Sequence, residues 1–245
     1  MSEIVRAHAK LTLSLNITGV RPDGLHLIDA SMVSLELHDI ITITPGGYGI
    51  TLDGPFANGV PTDETNLVHQ ALQLVGKSAA VHIEKNIPAG GGLGGGSTNA
   101  AAILRWAGFS DLDAASVIGA DIAFCLVGGH AHVTGIGEIV TALSPISGDF
   151  TLITPPLHVA TPLVYAAWDR LGSPHHESGN DLEPAAIEVC PELAIWKARI
   201  TQVIGYAPTL AGSGATWFVR GHQHRLVKAL PEAVVTMTST QTTTA

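Results

Sequence analysis

From Lys10 to Ile17 polar and apolar residues alternate, with Leu11, Leu13, Leu15 and Ile17 on one side and Lys10, Thr12, Ser14 and Asn16 on the other. That two-residue period predicts a half-buried strand carrying Lys10 on its polar face. Gly19-Val20-Arg21-Pro22-Asp23-Gly24 has the residues of a turn, and alternation with β-branched residues resumes from Met32 to Thr44, so two strands joined by a polar loop open the chain. Thr62-Asp63 then offers a helix N-cap, with Leu67, Ala71, Leu74 and Val75 at helical spacing behind it and the short apolar strand Val81 to Glu84 following.

That strand runs into Pro88-Ala89-Gly90-Gly91-Gly92-Leu93-Gly94-Gly95-Gly96-Ser97-Thr98, after which Asn99-Ala100-Ala101-Ala102-Ile103-Leu104 reads as a helix beginning near Ser97 or Thr98. Glycine removes the β-carbon and permits positive φ, so successive N–H groups can converge on phosphate oxygens while the helix start adds its dipole. This is a loop for a nucleotide triphosphate. A flexible linker does not carry a lone Leu between an apolar strand and an Ala-rich helix. Gly90, Gly92 and Gly95 formally satisfy the dinucleotide fingerprint, but the acidic residue that should follow about 20 positions on would be Asp111 or Asp113, in a turn. No Gly-Lys-Ser/Thr follows, which excludes the Walker pattern.

Past the loop, Asp111 caps a helix ending near Gly119, and Ile122 to Val127 and Ala131 to Thr134 read as strands around Gly128-Gly129. Pro145 to Gly148 and Pro155-Pro156 mark a boundary, dividing residues 1–147 from 148–235. The second unit holds a strand from Phe150 to Thr154, a helix near Pro162 to Leu171, a longer helix from about Glu183 to Ile204, and a turn at Gly212-Ser213-Gly214 leading to a strand from Ala215 to Arg220. Residues 236–245, nearly all Thr, Ser, Gln and Met, read as a disordered tail.

Composition narrows the function classes. Of 245 residues 46% are hydrophobic and 13% charged, enough apolar material for a substantial core. A net charge of −9 with 12 Lys plus Arg and no basic run argues against nucleic acid. The two cysteines, an amino terminus without a basic or apolar leader, and the lack of any long apolar run point to a cytoplasmic protein with no membrane partner. A small-molecule substrate and a monomer or homodimer are expectations that these features do not decide. Twelve histidines include no H-E-x-x-H, and His130-x-His132 and His175-His176 lack further ligands at ligand spacing, so metal ligands stay unassigned.

Four segments in order, Ala7-His8-Ala9-Lys10, Asp23-Gly24-Leu25-His26, the glycine loop and Gly119-Ala120-Asp121, together with Asn180-Asp181-Leu182-Glu183-Pro184 and Ala211-Gly212-Ser213-Gly214-Ala215, resemble the GHMP kinases over roughly residues 4 to 220. The resemblance implies an α+β fold of two domains, ribosomal-protein-S5-like then ferredoxin-like, with the active site in the cleft between them. It implies ATP as co-substrate with Mg²⁺, and, in the branch these segments resemble, an acceptor bearing cytidine diphosphate. Phosphoryl transfer needs a phosphate cradle, a cation and a carboxylate near the attacking hydroxyl. By the resemblance, Asp121 accepts that proton and Lys10 stabilises charge as the alkoxide develops. Asn66 lies near the adenosine, His26 hydrogen-bonds the cytosine and Tyr165 stacks on it. Ser97 and Thr98 offer hydroxyls to metal or phosphate, and are equally good N-caps. Two substrate positions depart from the family pattern: Leu25 replaces an aromatic and Thr12 an Asn. Kinases for other small alcohols (homoserine, a mevalonate derivative, a sugar), or a non-catalytic ligand-binding protein on the same fold, stay open at this point.

Overall fold

A computed structural model describes residues 1–241. Two very long strands, β1 (Glu3–Val20) and β2 (His26–Pro45), pair antiparallel along their whole length and form the spine of the first sheet. On its other edge β2 pairs with two strands end to end, β4 (Ala79–Glu84) with its carboxyl-terminal half and β5 (His130–Gly135) with its amino-terminal half. Strands β3 (Ile50–Asp53) and β6 (Ile139–Ala142) extend the sheet beyond these. The helices α1 (Leu67–Leu74), α2 (Gly95–Trp106), α3 (Leu112–Ile118) and α4 (Ala120–Val127) cover one face, α2 lying against β1, α1 and α4. A core of Ile41, Ile43, Val81, Ile83, Ile103, Leu104 and Phe124 fills the space between.

The second sheet is antiparallel throughout, in the order β10 (Val234–Ser239), β7 (Asp149–Thr154), β9 (Trp217–Arg220), β8 (Thr209–Leu210). It packs with α5 (Thr161–Arg170), α6 (Glu183–Val189), α7 (Glu192–Ile204) and α8 (His224–Ala229) around Trp168, Leu193, Ile200 and Trp217. A third apolar cluster joins the sheets: Ala9, Leu11, Val33 and Leu35 from β1 and β2, Phe150, Leu152 and Phe218 from the second sheet, and Leu93 from the glycine loop. The lone leucine among glycines is therefore a peg, buried where the two sheets meet.

Several expectations are corrected. Ile122 to Val127 is helix α4, not a strand. A six-residue apolar run has no periodicity to distinguish the two when every side is covered, and here all of Ile122 to Leu126 is buried. The helix expected from Glu183 to Ile204 is two, broken at Cys190-Pro191 because proline has no N–H to continue the ladder. The cap of α1 is Asn66, whereas Asp63 accepts from the backbone N and hydroxyl of Thr65. The expected tail is strand β10 from its first residue to Ser239, after which Thr240 N donates to Gly148 O and Gln241 N to Ser34 O. A Thr-rich segment is polar by composition yet β-branched, and the open edge of β7 recruits it. Residues 242–245 lie outside the described residues. Alternation placed Lys10 and Thr12 correctly on one side of β1, but that side faces the glycine loop and not solvent, so both are buried.

Candidate active site

The glycine loop curls over the middle of β1. Lys10 N donates to Leu93 O at 3.0 Å, and a β-carbon placed on Gly94 would lie 2.7 Å from Lys10 Cγ, so only glycine lets the loop come this close. Gly90, Gly92 and Gly94 all have positive φ. From the other side the turn at 211–216 closes in: a β-carbon on Gly92 would meet Ala211 O at 2.5 Å and Gly214 O at 2.9 Å, and Thr216 N donates to Gly91 O at 3.3 Å. Asn180 secures that turn by donating from Nδ2 to Leu210 O (2.9 Å) and Gly212 O (2.7 Å). Buried Asp181 ties the same segment to β1 by accepting from Ile17 N at 2.9 Å. The Asn-Asp and Ala-Gly-Ser-Gly-Ala segments therefore brace the loop from the second sheet.

Helix α2 begins at Gly95, with Gly94 in the left-handed region as its cap residue. Ser97 and Thr98 are accordingly inside the first turn and are not caps, since the glycines supply the backbone reversal without a capping side chain. Thr98 is buried against the Cys125 thiol, while Ser97 is half-buried with no hydrogen bond from its hydroxyl among the described residues. Burial, with the nearby Asp121 charge, pushes that thiol up to about 12, which makes Cys125 an unreactive packing residue. The loop opens onto a cavity of about 380 Å³ walled by Pro88 to Gly96, Asn58 to Pro61, Lys85, Asn99 and His158.

At the inner end of the loop Lys10 Nζ lies 3.1 Å from Asp121 Oδ2 and donates to Thr12 Oγ1 at 3.1 Å. Asp121 reaches it from the first turn of α4, where a carboxylate is favoured by the helix dipole. The ammonium is almost wholly buried and the carboxylate about one-third exposed, so the pair presents its oxygen outward. A β-carbon on Gly212 would lie 3.8 Å from both Lys10 Nζ and Thr12 Oγ1, so the 211–216 turn borders that side of the pair at ordinary contact distance.

Tyr165, on α5, packs against His26 at the start of β2 with ring centroids 4.7 Å apart. Burial, and then the charge of Asp121, pushes its phenol up to about 12. Leu25 stands exposed in the turn beside them. Asn66 is brought close but is not part of the cavity wall: Oδ1 accepts from Val68 N at 2.9 Å and Nδ2 donates to Pro61 O at 2.6 Å, so its side chain caps α1 and holds the wall residue Pro61.

Sequence reasoning missed a buried polar cluster under the loop. Lys85 Nζ donates to Asp39 and to Asn99 Oδ1 (2.8 Å), and Asp39 also accepts from Asn86 N (2.7 Å), Ile87 N (2.9 Å) and Asn99 Nδ2 (2.9 Å). All three side chains are buried, and together they pin the strand entering the loop to the helix leaving it. The available signal was a lysine just after an apolar strand and an asparagine heading an alanine run, both flanking the glycines. Among the described residues no group of three His, Cys, Asp or Glu side chains could hold a metal ion. Among the described residues no helix is long and apolar enough to cross a membrane.

Residues 66–129 match the family model for the GHMP kinases N terminal domain. The 4-diphosphocytidyl-2-C-methyl-D-erythritol kinase of Paracoccus denitrificans is 37% identical over 86% of this chain and 84% of its own length. That of Cereibacter sphaeroides is 33% identical over 94% and 93%. A solved 4-(cytidine 5'-diphospho)-2C-methyl-D-erythritol kinase superposes with a TM-score of 0.78 at 26% identity, covering 97% of this chain and 99% of that one. A homoserine kinase from Cytophaga hutchinsonii shares the fold at a TM-score of 0.62 and 15% identity.

Proposed function

The chain belongs to the 4-diphosphocytidyl-2-C-methyl-D-erythritol kinases of the GHMP family, and from that membership we propose that it transfers the γ-phosphoryl group of ATP to the 2-hydroxyl of 4-diphosphocytidyl-2-C-methyl-D-erythritol in non-mevalonate isoprenoid synthesis. The observation that carries the chemistry is the Lys10–Asp121 pair, 3.1 Å apart beneath the glycine loop. The main-chain N–H groups of Ala89 to Gly96 receive the triphosphate with its outer end directed at that pair. The acceptor hydroxyl lies against Asp121, which takes its proton as the oxygen attacks the γ-phosphorus and the bond to the β,γ-bridging oxygen breaks. Lys10 offsets the negative charge accumulating on the transferring group. His26 and Tyr165 receive the cytosine, with Leu25 as the apolar flank and Thr12 lining the acceptor side.

Mg²⁺ fits this site as an ion carried mainly by the nucleotide, which is how it is commonly bound, through one or two carboxylates and substrate phosphates. The Ser97 hydroxyl, which makes no hydrogen bond among the described residues, is the side chain that would hold it, and it would neutralise phosphate charge. The two domains of this reading divide near residue 147, with the second extending through β10.

The test is ADP release with a panel of alcohols. Turnover with the cytidine diphosphate acceptor, falling about 10²–10⁴-fold in Asp121→Asn while ATP affinity stays within about twofold, is the expected result. Phosphorylation of homoserine or mevalonate in its place, or undiminished turnover in the variant, overturns the reading.

A further inference from the structure

Helix α5 does more to His26 than stack Tyr165 on it. Asp169 Oδ1 lies 2.8 Å from His26 Nε2, and Trp168 meets the imidazole edge-on at 5.6 Å between centroids. Tyr165, Trp168 and Asp169 therefore come from one turn of one helix and enclose a single ring, which is only 10% exposed. Trp168 is itself anchored by donating from Nε1 to Pro174 O at 3.0 Å. The imidazole is held too closely to turn over.

A carboxylate only accepts hydrogen bonds, so the imidazole nitrogen facing Asp169 is the one that carries hydrogen. In the neutral ring the other nitrogen, Nδ1, is then a pure acceptor. Nδ1 has no hydrogen-bond partner among the described residues, nor is it among the buried side-chain atoms left without one, so it keeps some exposed surface. The next question is which base edge such an atom accepts. Cytosine offers an exocyclic amine, a donor, where uracil offers a carbonyl oxygen, and two facing acceptors repel.

We infer that Asp169 is a positioning residue that sets the polarity of His26, so that Nδ1 accepts from the exocyclic amine of the acceptor's cytosine and rejects a uracil-bearing analogue. This rests on the reading of the acceptor as a cytidine diphosphate, and it adds the element that distinguishes one pyrimidine from the other. Discrimination of this kind comes as much from the repulsive arrangement built against the wrong base as from the bond made to the right one. Asp169 is half exposed, and a single hydrogen bond adds only modestly to stability, so its removal is expected to leave the fold intact.

The experiment compares wild type, Asp169→Ala and Asp169→Glu with the cytidine diphosphate acceptor and its uridine counterpart, and records the ¹⁵N side-chain signals of His26. The expected wild-type spectrum shows hydrogen on Nε2 alone. In Asp169→Ala that preference is lost, KM for the cytidine acceptor rises about tenfold with kcat within about twofold, and the cytidine-to-uridine ratio of kcat/KM falls about tenfold, the scale of one hydrogen bond. Asp169→Glu recovers part of the ratio. An unchanged ratio in Asp169→Ala, or a wild-type His26 with hydrogen on Nδ1, overturns the inference while leaving the kinase assignment standing. A wild-type enzyme idle on the cytidine acceptor overturns both.

Discussion

Gly92 and Gly108 provide a controlled pair for testing how the glycine loop is held. Both have φ of +75°, so an alanine at either meets the same left-handed backbone cost, about 1–2 kcal/mol, part of which the stiffer unfolded chain returns. They differ only in surroundings. Nothing lies within 4 Å of a β-carbon on Gly108, whereas one on Gly92 meets the backbone oxygens of Ala211 at 2.5 Å and Gly214 at 2.9 Å. Those are main-chain atoms in a turn that Asn180 already grips, so they cannot swing aside as a side-chain tip would. Relieving the overlap requires the loop and the 211–216 turn to separate by most of an ångström, an overpacking cost of about 1–3 kcal/mol on top of the backbone term. Gly108→Ala should therefore lose about 1 kcal/mol in urea unfolding and bind ATP normally. Gly92→Ala should lose about 2–4 kcal/mol and, because the amides that receive the phosphates are displaced, weaken ATP at least tenfold by titration calorimetry. Equal stabilities for the two variants, with equal ATP affinity, would refute the claim that the second sheet sets the geometry of the loop.

Two further outcomes follow from the polar contacts around the cavity. Asn66→Ala removes a cap and the bond to Pro61 without removing a cavity-lining atom, so it should cost about 1 kcal/mol by thermal denaturation and leave ATP affinity within about threefold; a hundredfold loss would mean that Asn66 touches the nucleotide. Lys85→Met strands the buried Asp39 carboxylate and should cost about 3–5 kcal/mol in chemical denaturation, with Asp39→Asn in the same chain restoring part of it; a loss under about 1 kcal/mol would show that the pair does not brace the loop.

The local chemistry was legible because it depends on near neighbours in the chain. Alternation in Lys10 to Ile17 identified β1, and glycines before an alanine run identified the loop that turns into helix α2. Asp111 was recognised as a cap from its position before a helical pattern, and its side chain does accept from Ala114 N. What the pattern could not carry was anything decided by a partner far along the chain. The apolar run of α4 reads equally as strand or helix until its surroundings are known, and β10 is a polar tail until the edge of β7 offers it hydrogen bonds.

The residues of the site divide the same way. That Lys10 has a polar role, and that Pro88 to Thr98 is a glycine loop leading into a helix, are consequences of side-chain type and spacing. That Lys10 meets Asp121, 111 positions away, that Leu93 is pegged into the seam between two sheets, and that Asp39, Lys85 and Asn99 close into one buried cluster are consequences of packing. Long-range pairing is fixed by which surfaces bury together and which desolvated charges then require a partner, and neither quantity is a property of any short stretch of the chain.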